Sequence, residues 1–281
     1  MKIIGVDVGG TKIATGQVSG EKIIRQFSVP TPFDRPQVEV VNAVIQAIEE
    51  VYDTGVKGIG IGVPGLVDLK EQRVLDVVNI PSWDSVPLAE LISDYFNKPV
   101  YVNNDANCFA LGEKYFGKGK PYANFVGVTI GTGLGAGIII NNHLYSGRLC
   151  GAGEFGCIYY RDQNIEAYAS GQFMKDKGID GKVLFKRASI GDPVALKVFE
   201  TLGQHIGHAV ANILFALAPE AIIFGGSVSK AFKFFGDSMM EFLEDNFPYR
   251  RLYHQLAIEV SDTEESGILG ASSLVLDAVQ Q

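Results

Sequence analysis

The opening thirty residues alternate short apolar runs with polar or glycine turns. Residues 3–8, 13–18 and 23–29 each read as a strand, the first two joined by Gly9, Gly10, Thr11 and Lys12, which predicts a three-stranded antiparallel meander. After a proline-bearing loop the apolar spacing changes. Val41, Val44, Ile45 and Ile48 recur at helical period and predict a helix over residues 38–51. Residues 58–63 return as a strand ending in Pro64 and Gly65. A short helix is predicted over 88–96, a strand into Asn103, and a helix over 108–116. Residues 66–85 show no period that assigns them. Strands alternating with helices favour a mixed α/β sheet.

The second half echoes the first. Gly-Val-Asp-Val-Gly-Gly-Thr-Lys-Ile-Ala at 5–14 aligns with Gly-Val-Thr-Ile-Gly-Thr-Gly-Leu-Gly-Ala at 127–136. Both read strand, glycine turn, strand, which points to two similarly folded domains, each offering a glycine turn to a cleft. Further on, Phe199, Leu202, Ile206, Val210, Ile213 and Leu217 form one stripe of a long helix over 193–217, stopped by Pro219. A strand over 221–224 ends in Gly225, Gly226 and Ser227. Residues 232–242 read as helix, 256–260 as strand and 267–279 as a closing helix. The division this suggests is an N-terminal α/β domain over 1–114 and a larger C-terminal α/β domain over 115–266. The closing helix, 267–281, packs back on the first.

A length of 281 residues agrees with two domains of ordinary size. The net charge of -8 leaves no basic excess for a phosphate backbone, so nucleic acid is not an expected partner. A single phosphorylated ligand remains compatible, since a local glycine loop can bind phosphate in an acidic protein. No run of about 18 apolar residues is present, so no membrane span is expected, and Met1-Lys2 leads directly into a strand without an apolar leader. Cys108, Cys150 and Cys157 form neither a C-x-x-C pair nor an even set, which points to a reducing, cytoplasmic setting.

The candidate chemistry sits at strand ends. Glycine turns bring backbone N–H groups close to an anion with no Cβ in the way. Three occur here: at Gly9 to Lys12, at Gly131, Thr132 and Gly133, and at Gly225, Gly226 and Ser227. None carries the P-loop spacing. Asp7 lies in an otherwise apolar strand, where a carboxylate is costly to bury alone. It either orients the water shell of a magnesium ion or meets solvent at an edge. The run 100–107 ends its strand in Asn103, Asn104 and Asp105, at the carboxyl end where open α/β sheets bind ligands. A carboxylate beside two amides suits activation of an alcohol. The same residues also read as an ordinary helix N-cap, and taken alone they leave both meanings open.

Together these motifs resemble the ROK family of bacterial sugar kinases. They are Asp-Val-Gly-Gly-Thr-Lys at 7–12, Asn-Asn-Asp-Ala-Asn at 103–107, Thr-Ile-Gly-Thr-Gly-Leu-Gly at 129–135, Gly-Ala-Gly-Glu-Phe-Gly at 151–156, Glu-Ala-Tyr-Ala-Ser-Gly at 166–171 and Ile-Ile-Phe-Gly-Gly-Ser at 222–227. The resemblance implies an actin-like ATPase (ribonuclease-H-like) α/β fold, two domains around a nucleotide and sugar cleft, ATP and Mg²⁺ as cofactors, domain closure, and a homodimer. It implies Asp105 as catalytic base. Gly65, Asn104, Asp105, Glu154 and Glu166 would bind the sugar. Gly9, Gly10, Thr11, Lys12, Thr132 and Gly133 would hold phosphate, Gly225 and Gly226 would flank adenosine, and Asp7 would serve the metal.

The pattern departs from the family in one place. Cys157 stands where a histidine commonly follows Gly-Glu-x-Gly, and Asn164 stands where the last cysteine of a structural zinc cluster would be. A structural zinc wants four Cys or His ligands, so no zinc site is expected. His205 and His208 share a helix face and read as packing or surface residues. Two functions from different classes follow: an ATP-dependent kinase of a hexose or related sugar, or a catalytically weak or inactive sugar-binding regulator of the same family. The repressor members carry a helix-turn-helix before their Asp-x-Gly-Gly-Thr strand, and here that strand comes first. An acetate or glycerol kinase of the same superfamily finds no support outside the glycine turns.

Overall fold

A computed structural model describes residues 1–77 and 79–280. The chain divides into two compact units. One comprises residues 1–120, 143–152 and 262 onward; the other comprises 121–142 and 153–261.

The first unit opens with the meander: β1 (Lys2–Val8), β2 (Lys12–Ser19) and β3 (Lys22–Pro30), with β1 and β2 paired antiparallel from Lys2 opposite Ser19 to Val8 opposite Ile13. Helix α1 (Gln37–Glu49) follows and buries Val41, Val44 and Ile48 of the predicted stripe together with Val40 and Ala47, while Ile45 is only half-buried. Strand β4 (Val56–Val63) runs parallel to β1. The stretch that showed no period folds as a small antiparallel sheet of β5 (Leu66–Asp68), β6 (Arg73–Leu75) and β7 (Ser85–Val86). Strands of two or three residues are too short to display an alternation. Trp83, Ile80 and Val77 bury beside them, and Val78 lies outside the described residues. Helix α2 (Leu88–Phe96) leads to β8 (Val100–Asn104), parallel to β4, and then to α3 (Asp105–Tyr115). Helix α3 starts three residues before the predicted position because Asn104 caps it. The main sheet has the order β3-β2-β1-β4-β8.

The second unit repeats the theme. Strands β9 (Phe125–Ile130) and β10 (Leu134–Ile140) form an antiparallel hairpin around Gly131–Gly133. Residues 143–152 belong to the first unit and supply β11 (His143–Leu144) and a 3-10 turn, Arg148–Cys150; the second unit resumes with a 3-10 turn at Phe155–Cys157. Next come the hairpin of β12 (Tyr159–Tyr160) and β13 (Gln163–Asn164), then α4 (Ile165–Ala169), α5 (Gln172–Lys175) and α6 (Gly181–Ser189). The long helix α7 spans Pro193–Leu217, as predicted. Asp192 caps the N–H groups of Val194 and Ala195, and Ala218 ends the helix in a left-handed conformation before Pro219. Strand β14 (Ala221–Gly225), helices α8 (Phe232–Asn246) and α9 (Arg250–Tyr253), and strand β15 (Ala257–Val260) complete the unit. Within it the strands run β10-β9-β14-β15, with β14 parallel to both neighbours. This is the order β2-β1-β4-β8 again, so the internal echo in the sequence corresponds to two sheets of one topology.

Helix α10 (Ser266–Gln280) returns to the first unit and lies on β1 and β4 beside α3. Gln281, the last residue of the predicted closing helix, lies outside the described residues. Glycine permits this close approach. A Cβ on Gly5 would overlap the carbonyl oxygen of Ile268, one on Gly60 that of Ala271, and one on Gly112 would come within 2.9 Å of the Gly270 Cα. No helix among the described residues is long and apolar enough to cross a membrane.

The segment after Cys157 packs its aromatic side chains on α7. Tyr160 of β12 packs on Tyr168, His205 and His208 with centroids 5.5, 5.8 and 4.6 Å apart, and Asn164 caps α4 by accepting from Ala167 N at 3.0 Å. His205 is buried, and this burial, followed by Arg161, His208 and Lys177, brings its pKa down to about 4. The unfolded chain therefore takes up a proton near the ordinary value of about 6.5, while the fold resists uptake until about 4. Stability falls as pH drops through that window, on the order of 2–3 kcal/mol. His205→Phe should flatten this loss, which urea unfolding at pH 7 and pH 4.5 would read directly.

Candidate functional site

In the first unit the strand register gathers the predicted residues. Asp7 pairs across from Gly62, and Gly62 from Asn103, so the carboxyl ends of β1, β4 and β8 lie side by side. Asp7 stands at the first tip, Gly65 just beyond the second, and Asn104 with Asp105 at the third. The cap and site readings of Asn104 turn out to be compatible. Its Oδ1 accepts from Ala106 N at 2.9 Å and Asn107 N at 3.4 Å, while its Nδ2 donates to the Gly65 carbonyl at 3.1 Å. Nδ2 has a second hydrogen to offer a ligand. Buried Asn103 fixes the turn from below, its Oδ1 accepting from Asn104 N at 2.8 Å and Asn107 Nδ2 at 2.9 Å. Asp105 is therefore held at the first position of α3 and is solvent-exposed, with Oδ1 accepting from Ala106 N at 2.8 Å. A carboxylate there also sits at the positive end of the helix dipole.

The first glycine turn is braced from within. Gly9 N–H donates to the Lys12 carbonyl at 2.9 Å, Thr31 Oγ1 donates to the Gly9 carbonyl at 2.6 Å, and Thr31 N–H donates to the Thr11 carbonyl at 3.1 Å. Gly10 passes close to Asn79, with 2.8 Å from an added Cβ to the Asn79 Cβ. Thr11 and Lys12 are left exposed. The Asp7 carboxyl is pushed up by burial, drawn down by the Lys12 ammonium and raised further by Glu265. Glu265 carried no sequence signal; it reaches Asp7 from the residue before α10. Among the described residues no group of three or more His, Cys, Asp or Glu is arranged around a metal. Two neighbouring carboxylates nonetheless suit a hard cation that keeps most of its waters.

The second unit assembles its own set. Gly131 N–H donates to the Gly133 carbonyl at 2.9 Å, Gly171 N–H to the Gly131 carbonyl at 2.8 Å, and Ser170 Oγ to the Thr132 carbonyl at 2.8 Å. Glu166 on α4 accepts from Leu134 N at 2.8 Å through Oε2, and a Cβ on Gly133 would overlap that same oxygen. The structure thus brings Glu166 onto the turn carrying Thr132. Glu154 joins it through the loop packed on β10, where Gly156 abuts Glu166 Cβ at 3.4 Å. Cys157 donates its thiol to Glu154 Oε2 at 3.5 Å; burial pushes that thiol's pKa up, and Glu154 and Glu166 add to it.

Next to this turn lies a cavity of about 800 Å³, whose walls include Gly131, Thr132, Met174, Phe185, Ser227 and Val228. Gly225 and Gly226 are not in its lining. Gly226 adopts φ 86° and crowds the Ile130 backbone, and Val228 N–H donates to the Ile130 carbonyl at 2.9 Å. This turn places Ser227 and Val228 in the wall. Lys175, Lys182, Lys186 and Lys230 also line the cavity. Sequence reading missed them, although three fall in the lysine-rich stretch 175–186.

A glucokinase of Thermotoga maritima is 30% identical, with 99% of this chain and 98% of the relative covered. A xylose repressor of Caldicellulosiruptor bescii is 29% identical over 98% of this chain and 78% of its own length. Among solved structures, a ROK family glucokinase from Streptomyces griseus in complex with glucose and AMPPNP superposes with a TM-score of 0.82 at 32% identity, covering 98% of this chain and 99% of that one. The model of the ROK family matches residues 3–278. The chain belongs to the ROK family.

Proposed function

We propose that this protein is an ATP-dependent sugar kinase, with Asp105 as the general base for a hydroxyl of a hexose or related sugar. The observation that carries this is the exposed Asp105 carboxylate at the tip of β8, fixed by the Asn103–Asn104 turn and the Asn104–Gly65 hydrogen bond. The glucokinases among its relatives, and the AMPPNP and glucose in one related structure, support it.

The sugar hydroxyl gives its proton to an Asp105 oxygen as its own oxygen bonds to the γ-phosphorus of ATP. The bond from that phosphorus to the bridging oxygen breaks, and ADP leaves with the electron pair. Such a transfer depends on positioning and charge neutralisation more than on covalent chemistry. Asn104, Glu154 and Glu166 take neighbouring hydroxyls. The turns at Gly9 to Lys12 and at Thr132 and Gly133 offer N–H groups to phosphate oxygens, and the lysine-lined cavity takes the adenosine beside Gly225 and Gly226. A magnesium ion would be held by Asp7 and Glu265, through waters, and would neutralise phosphate charge.

Glu166 gives a test of the sugar assignment. Its Oε2 is committed to Leu134 N, which leaves Oε1 for a hydroxyl. A hydrogen bond to a charged group contributes about 1.5–3 kcal/mol, so Glu166→Gln should raise the sugar KM roughly tenfold or more, with the ATP KM little changed. The governing experiment is ADP release from Mg-ATP across hexoses, N-acetylhexosamines and ketoses. The likeness to xylose repressors favours one second reading, a sugar-binding regulator without turnover; sugar binding with no ADP release would establish it. We include a homodimer in a cytoplasmic setting in this proposal, and sedimentation tests the dimer.

A further inference from the structure

The second unit holds another cavity, of about 590 Å³, between the start of α7, the α4–α5 segment and the β12–β13 hairpin. It is lined by Arg161, Tyr168, Phe173, Lys177, Lys197 and His205, with Pro193, Val194 and Val198 completing an apolar wall. Among the described residues it shares no lining residue with the cavity beside Thr132, and no carboxylate lines it. Its volume is that of a small-molecule site.

The positive groups here are only partly satisfied. The Arg161 guanidinium stands 5.3 and 5.4 Å from the ring centroids of Tyr160 and Tyr168, and the Lys177 ammonium 4.8 Å from that of Phe173. Neither makes an ion pair within 4.0 Å among the described residues. Lys197 differs, being bridged to Glu200 at 2.6 Å. A guanidinium stacked over rings keeps its N–H edge free for a planar or tetrahedral anion. His205, only 3% exposed, engages the Tyr160 hydroxyl at 3.1 Å through Nδ1. Its Nε2 has no hydrogen-bond partner among the described residues. The ring is neutral near pH 7 because burial and the nearby cations hold its pKa at about 4. In the tautomer whose Nδ1 accepts from the Tyr160 hydroxyl, Nε2 carries the ring proton and is a donor. In a protein of net charge -8, two cations outside any ion pair within 4.0 Å among the described residues and a buried imidazole around one apolar-walled cavity suit an anion, with Asp162 beside Arg161 engaged by the Tyr168 hydroxyl.

We propose that this cavity binds a small organic dianion, a phosphate monoester carried on an apolar or ring body. Arg161 and Lys177 hold the phosphate, His205 Nε2–H donates to it, and Pro193, Val194 and Val198 flank the body. The site stands independently of the kinase reading. Because Tyr168 in its wall lies two residues beyond Glu166 on the five-residue α4, an occupant would rest against the helix that carries a proposed sugar ligand.

The test is calorimetric titration of the full-length protein with phenyl phosphate, with and without saturating AMP-PNP. Binding should persist with the nucleotide analogue present and weaken at least tenfold in Arg161→Gln and in Lys177→Gln. Inorganic phosphate should bind at least tenfold more weakly, and benzyl alcohol should give no heat. Lys177 is exposed, so its variant keeps the test sound if the Arg161 turn fails to fold. Absence of binding, displacement by AMP-PNP, or an affinity unchanged from the parent in both variants would overturn the assignment. Inorganic phosphate binding as tightly as phenyl phosphate would overturn the role of the apolar wall.

Discussion

Asp105→Asn should lower sugar-dependent ADP release by about 10²–10⁴-fold, the range that general-base assistance supplies, while leaving sugar affinity within a few-fold. The substitution preserves size and the local frame. An amide oxygen at 105 can still accept from Ala106 N, and the cap that starts α3 belongs to Asn104. What disappears is the group that takes the proton. The loss should therefore fall on kcat, with melting temperature and calorimetric sugar binding held. A kcat within tenfold of the parent would remove Asp105 from the role of base.

Gly60→Ala should be among the most destabilising single changes in the first unit, by about 3 kcal/mol, the upper end of what overpacking costs. Gly60 lies mid-strand in β4, paired with Gly5 on one side and Tyr101 on the other. An added methyl would occupy the position of the Ala271 carbonyl oxygen, with Leu274 Cβ 3.3 Å away. The obstacle is backbone of α10 rather than the end of a flexible side chain. The helix must therefore lift from the sheet, and Ile268 and Ala271 leave their buried places with it. Gly131→Ala is the control, because nothing lies within 4 Å of its Cβ position. Urea unfolding should show a much lower midpoint for the first variant and little change for the second.

Much of this architecture was legible where a physical signal was strong. The α7 stripe, with Asp192 and Pro193 before it and Pro219 after, returned its own boundaries. The two strand–glycine–strand copies returned two sheets of one order. The start of α3 was placed late because its periodic apolar run begins only after the polar residues that cap it. Strands β5 to β7 were invisible, since segments of two or three residues carry no period.

In the site, polar residues at strand tips could be read because a local pattern marks them. Glu265 could not, since nothing in the chain around residue 265 announces Asp7 some 258 positions away. The same holds for Lys230 in the larger cavity and for the meeting of Tyr160 with His205. Long-range packing decides these, and a local pattern does not encode it.

The central claim is phosphoryl transfer to a sugar through Asp105. The most direct measurement is phosphorus NMR of the protein with Mg-ATP and each sugar of the panel in turn, run beside the Asp105→Asn variant. The account predicts one sugar phosphate formed for each ADP, with neither product accumulating in the variant over the same interval. A folded protein that binds the sugars of the panel yet forms no sugar phosphate from any of them would contradict it.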